Sequence, residues 1–113
     1  MKINHITLLI TDKKRAKNFY VEALGFKEKK VGKHLWIDIG GQYLHLTNNS
    51  GKPVKNTFYH FSLEVENLEK YIYKLQNMGV KVFDVAQNKM QCFVRDPDGN
   101  LIEFIDKNNN YFK

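Results

Sequence analysis

The feature that most restricts the fold of this chain is that one order of elements is spelled out twice. His5 opens an apolar stretch, and His60 opens another fifty-five residues later. Gly25 and Gly79, fifty-four apart, each end a helical stripe. Gly41 matches Gly99 at a spacing of fifty-eight, an alignment that sets His45 against Glu103. Identity between the halves is low, so the repeated pattern itself carries the duplication. A unit of about 50 residues buries too little surface to be stable alone. Two such units can cover their helix faces and leave the opposite faces lining a shared concavity. The expected fold is therefore α+β, with paired βαβββ modules forming a curved mixed sheet around a concave site. The modules cover about 3–47 and 58–106, joined by a linker over 48–57, within one domain spanning 1–113.

Alternation places the residues. In the first strand Ile6, Leu8 and Ile10 share one face, and His5, Thr7 and Leu9 the other. Thr11 or Asp12 caps a helix with the stripe Ala16, Phe19, Tyr20, Ala23 and Leu24, and Gly25 stops it. Phe26–Val31, Leu35–Ile39 and Gln42–Thr47 read as strands, with His34 in the loop outside the second of them. In the other half Tyr59–Glu66 is a strand, and Asn67 caps a helix with the stripe Leu68, Tyr71, Ile72, Leu75 and Met78. Val80–Val85, Met90–Val94 and Leu101–Ile105 complete the strands, and Asn108–Lys113 reads as a frayed tail. The last strand is fed by Asp96-Pro97-Asp98-Gly99-Asn100, where Pro97 presets φ for a turn and Gly99 supplies a positive φ.

One carboxylate stands out. Glu103 lies in an otherwise apolar strand and points away from Ile102 and Phe104. Burying it costs several kcal/mol unless it is paired, solvated or bound to a cation. The same alternation puts His5, His45 and His60 on the polar faces of their strands, so three imidazoles and one carboxylate occupy repeat-related places. That mixture suits a divalent transition metal such as Zn, Ni, Mn or Fe with coordination positions left open. Thr7, Tyr43 and Ser62 are candidates for substrate contact, and Trp36 for stacking on a ligand or for a subunit contact. Cys92 is expected to be a buried, inert thiol.

Composition narrows the function classes. Residues 1–33 carry nine Lys/Arg against three Asp/Glu, so the whole formal net charge of +6 lies there. Such an end attracts small anions, but no basic motif interleaved with aromatics points to nucleic acid. No apolar run approaches the roughly 18 residues of a membrane span. A single cysteine excludes an internal disulfide framework, and the first residues lack a secretory pattern; both favour the cytoplasm.

The βαβββ order, the histidine heading each module, Phe19-Tyr20…Leu24-Gly25-Phe26 and Asp96-Pro97-Asp98-Gly99-Asn100…Glu103 resemble the vicinal oxygen chelate superfamily over residues 3–106. That group includes glyoxalase I, fosfomycin-modifying thiol transferases, extradiol dioxygenases, methylmalonyl-CoA epimerase and bleomycin-binding proteins. The resemblance implies metal positions at His5, His45, His60 and Glu103. It implies a glyoxalase-like lyase or isomerase acting on a small oxygenated, anionic substrate, with Glu103 as base and His45 as acid/base or fourth ligand. The alternatives it admits are a non-catalytic drug-binding or resistance protein, or a thiol transferase or dioxygenase on the same scaffold. Pairing of two chains into a homodimer is implied as well.

Overall fold

Alternating leucines and isoleucines build the first sheet of this computed structural model, which describes residues 1–49 and 51–110. β1 (His5–Leu9), β2 (Lys27–Val31), β3 (His34–Asp38) and β4 (Tyr43–Thr47) join in the order β1-β4-β3-β2. β1 runs parallel to β4, and the other pairs are antiparallel. Leu8, Leu35, Ile37, Leu44 and Leu46 are buried on one face, each contributing about 1.5–3 kcal/mol of hydrophobic stabilisation. His5, Thr7, Trp36, Tyr43 and His45 alternate with them onto the other face.

The segment between β1 and β2 is helical in two styles. α1 (Lys13–Lys17) is capped by Asp12, whose side chain accepts from the backbone of Lys14 and Arg15. It continues as a wider π-helical stretch, Asn18–Ala23. Ala16, Tyr20 and Leu24, four residues apart, are all buried. A wider turn keeps that spacing in line better than the 3.6-residue turn does. Gly25, at φ 76°, then lets the Phe26 N–H return to the Tyr20 carbonyl at 3.0 Å, which closes the end of the helix.

By proximity of its residues the chain divides into two units. The first takes Met1–Lys55 together with Asp96–Asn100, and the second takes Asn56–Arg95 and the chain from Leu101. In the second, β5 (His60–Val65), β6 (Gln91–Arg95) and β7 (Leu101–Asp106) join in the order β5-β7-β6. β5 and β7 are parallel, β6 and β7 antiparallel. α2 (Leu68–Asn77) is capped by Asn67, and its first residue also donates its backbone N–H to Asp106 at 2.8 Å. It buries Leu68, Ile72 and Leu75, and Tyr71 meets the Phe104 ring at 5.1 Å.

The α+β class and the mixed pairing are as expected, but the strands form two sheets. Three local expectations are corrected. Val80–Val85 is not a strand: only Phe83 pairs, with Phe93, because Asp84 at φ 49° turns the backbone out of the ladder. Met78 follows the last turn of α2 and is 47 % exposed rather than part of its buried stripe. His34 opens β3 instead of lying in a loop. Between Thr47 and His60 the described residues form neither helix nor strand, and Ser50 lies outside them. Of the expected tail, Tyr111–Lys113 also lie outside the described residues. No described helix is long and apolar enough to cross a membrane.

The turn from Asp96 to Asn100 completes the first unit. The Asp96 carboxylate is buried and accepts from the Tyr20 hydroxyl (2.7 Å), the Asp98 N–H (2.9 Å), the Asn100 N–H (2.8 Å) and the Asn100 amide (2.8 Å). Asn100 also donates to the Leu9 carbonyl, and Asp98 accepts from Thr11 and Arg15. Burial first, then the charge of Asp96, hold the Tyr20 phenol well above its ordinary value, so it donates at all physiological pH. Tyr20→Phe is expected to lower the unfolding free energy by about 1.5–3 kcal/mol, the contribution of a hydrogen bond to a charged group. Asp96→Ala, which strands every donor at once, should cost about 3–5 kcal/mol. Urea unfolding measures both, and a Tyr20→Phe loss below about 0.5 kcal/mol would remove the phenol from this role.

Candidate functional site

In the second unit the parallel register sets Ser62 beside Glu103, and the antiparallel register sets Phe93 on its other side. Glu103 is 7 % exposed, yet its carboxylate is fully engaged. Ser62 donates to one oxygen and the Gln91 side-chain amide to the other. His60 Nε2 stands 3.4 Å from the oxygen that Ser62 also reaches, while Nδ1 of the same ring bonds the Phe58 carbonyl at 2.8 Å. A carbonyl only accepts, so Nδ1 carries the hydrogen and the neutral ring keeps its lone pair on Nε2. That lone pair faces a carboxylate oxygen, an arrangement that asks for a proton or a cation between them. The Phe58 and Phe93 rings flank the imidazole at 4.9 and 5.3 Å.

The first unit carries a second group of rings. Trp36 and His45, opposite each other on β3 and β4, stack at 4.2 Å with an interplanar angle of 7°. His5 meets the Trp36 ring edge-on at 5.0 Å and lies 6.1 Å from His45, and His34 meets His45 at 5.0 Å. His5 Nδ1 bonds the Asn4 side-chain oxygen at 2.8 Å, which leaves Nε2 of that ring for other use. His45 Nε2 is buried and has no hydrogen-bond partner. Burial first, then His34 and His5, push the His45 pKa down, so its ring is held neutral. Tyr43 lies beside Trp36 at 6.4 Å, and Thr7 is exposed on β1 beside His45 in register.

Each unit therefore brings together two of the four residues expected to bind metal: His5 with His45, and His60 with Glu103. Among the described residues no three or more His, Cys, Asp or Glu side chains are grouped so as to hold an ion. The donors fit such an ion all the same. An unpartnered buried imidazole nitrogen, and an imidazole fixed through Nδ1, are what ligand histidines present. Two ligands about 2.0–2.1 Å from a tetrahedral ion stand about 3.4 Å apart, which is the His60–Glu103 separation. Gln91, Phe93 and His34 were missed in the sequence. Gln91 and Phe93 alternate with buried Cys92 and Val94, so the face is readable once β6 is known to pair with β7.

Against this geometry stand the comparisons with known proteins. The family model described as Glyoxalase/Bleomycin resistance protein/Dioxygenase superfamily matches residues 2–104. A glyoxalase family protein from Bacillus anthracis is similar at a TM-score of 0.83 and 22% identity, covering 94% of each chain. An antibiotic binding protein from a Streptomyces species follows at 0.80 and 23%, covering 94% of this chain and 95% of that one. The trypanothione-dependent glyoxalase I of Leishmania major gives 0.76 and 23%, covering 94% and 86%.

Two outcomes follow from these environments. His45, depressed in the folded state, contributes stability that is complete above its ordinary value of 6.5 and is lost as pH falls through the folded value. In EDTA the protein should lose stability from pH 7 to 5.5, and His45→Gln should flatten that decline in urea midpoints. The Cys92 thiol, pushed up to about 11 by burial and then by Glu103, should resist alkylation by iodoacetamide at pH 8 until urea unfolds the chain. Rapid modification of the native protein would contradict that burial.

Proposed function

The chain belongs to the glyoxalase/bleomycin resistance protein/dioxygenase superfamily, and from that premise we propose that it is a glyoxalase-like, metal-dependent lyase or isomerase. Its substrate is a small oxygenated anion. The observation that carries the reading is the His60 lone pair facing Glu103 at 3.4 Å, with the ring held from behind by the Phe58 carbonyl. His60 and Glu103 would hold a divalent ion, Zn, Ni, Mn or Fe, with His5 and His45 as the further ligands. Such an ion supplies Lewis acidity toward a substrate oxygen.

The remaining chemistry falls to the protein's own groups. Ser62 and Gln91 orient the Glu103 carboxylate from both oxygens, so it can take a proton at a defined position. His45 serves either as the fourth ligand or as acid/base, and in the second role its neutral ring accepts a proton at Nε2. Thr7, Tyr43, Ser62 and Trp36 are assigned to substrate contact. The cationic first third favours an anion approaching the protein. Cys92 is buried and free of any disulfide, which suits a reducing cytoplasm, and a homodimer completes the proposal.

A second reading is a protein that binds a small molecule without turnover. The stacked Trp36–His45 pair favours it, and so does the likeness to an antibiotic binding protein. Metal content separates the two. Purified protein reconstituted with Zn or Ni and dialysed should retain about one ion per chain by elemental analysis. His60→Ala should reduce affinity at least about 10–100-fold, with circular dichroism unchanged. Absence of uptake in the wild type, or equal retention in His60→Ala, would remove the metalloenzyme reading.

A further inference from the structure

The strand register places more on the polar face of the first sheet than the imidazoles. β3 lies between β2 and β4, so Trp36 is flanked by Lys29 on one side and His45 on the other. His45 covers one face of the indole in a parallel stack. The His5 and Tyr43 rings meet the indole edge-on, and among the described residues no other ring lies parallel to it. The Lys29 ammonium extends 5.3 Å over the Tyr43 ring. Lys27 stands on the same face, two residues along β2. The one carboxylate in this row, Asp38, accepts from the backbone N–H groups of Gly40 and Gly41 at 2.8 and 3.1 Å. The lysine charges are thus only partly answered within the sheet.

We infer that this face binds a flat conjugated anion, an aromatic carboxylate, with its ring against Trp36 and Tyr43 and its charge on Lys29. The inference deepens the proposed function by naming the part of the ligand that does not react, and it rests on that reading for the ligand's small size and charge. Two features select such a ligand. The indole carries one parallel ring and, among the described residues, no second, so it rewards planarity in a ligand, since offset aromatic pairs gain beyond their buried area. An ammonium over a phenol ring is positioned by the ring quadrupole and still keeps donors for a carboxylate. A saturated acid of equal charge satisfies only the second of these, and a neutral arene only the first.

The test uses the full chain in EDTA, so that no ion is present. Calorimetric titration measures 2-naphthoate, its neutral amide and cyclohexanecarboxylate, and quenching of Trp36, the single tryptophan, is the second readout. The expected result is 2-naphthoate at least about tenfold tighter than either comparator, a difference equivalent to about 1.4 kcal/mol. Lys29→Glu, an exposed position, should weaken 2-naphthoate about tenfold and leave the amide unchanged. Trp36→Leu should weaken both arenes and leave the saturated acid unchanged. No binding of 2-naphthoate, equal binding of the saturated acid, or an undiminished affinity in Lys29→Glu overturns the inference. Because these titrations are free of metal, their failure leaves the His60–Glu103 ion reading intact. Failure of the ion retention measurement likewise leaves this result standing.

Discussion

The buried carboxylate of Asp96 organises the first unit from a position far along the chain. A charge removed from water is tolerable only when its lone pairs are filled, and here a phenol, two backbone N–H groups and a side-chain amide fill them. The hydrogen bonds also explain the local backbone. Asn100 turns back to the carboxylate two ways, Gly99 supplies φ 90° between them, and Pro97 presets the turn. Tyr20 is the counterpart on the helix, and its complete burial fits the widened π stretch that presents it.

Much of this was legible without coordinates. Period-two alternation placed Ile6 and Leu8 opposite His5 and Thr7, and Leu44 and Leu46 opposite Tyr43 and His45, as the buried and polar faces now show. Asn67 was readable as a cap, and the first cap as Thr11 or Asp12, because such short side chains accept from the first turn; the structure puts it at Asp12. The failures share a cause. Val80–Val85 has the composition of a strand, but one left-handed residue, Asp84, decides its fate, and nothing in apolar content signals that. The π stretch was invisible because its stripe also satisfies an α-helix. Gln91 was missed as a partner of Glu103 because its role depends on cross-strand register, which one strand's own sequence does not contain.

The two polar clusters show how alternation yields chemistry. Each unit uses the same device, a parallel pair of strands that sets one polar side chain beside another at a fixed register. On β5 and β7 the device supports a buried carboxylate with a hydroxyl, and β6 adds an amide. On β1, β3 and β4 it gathers imidazoles around an indole. In both, apolar residues on the opposite face supply the core, Leu35, Ile37, Leu44 and Leu46 in the first sheet and Val94, Ile102 and Phe104 in the second, so most of the polar positions lie apart from it.

The parallel pairings and the split membership of the first unit have a consequence for how the protein is made. In each sheet the latest strand to leave the ribosome, β4 or β7, is inserted between two earlier ones. The first strand of each sheet, β1 or β5, therefore has no partner until that last strand is made. The first unit also needs Asp96–Asn100, which emerges after most of the second unit has been synthesised. Nascent chains shorter than about that length expose unpaired strand edges and leave the Tyr20 hydroxyl without its acceptor. The first unit thus reaches its native state only after residues 96–100 have been made, rather than stepwise from the amino end.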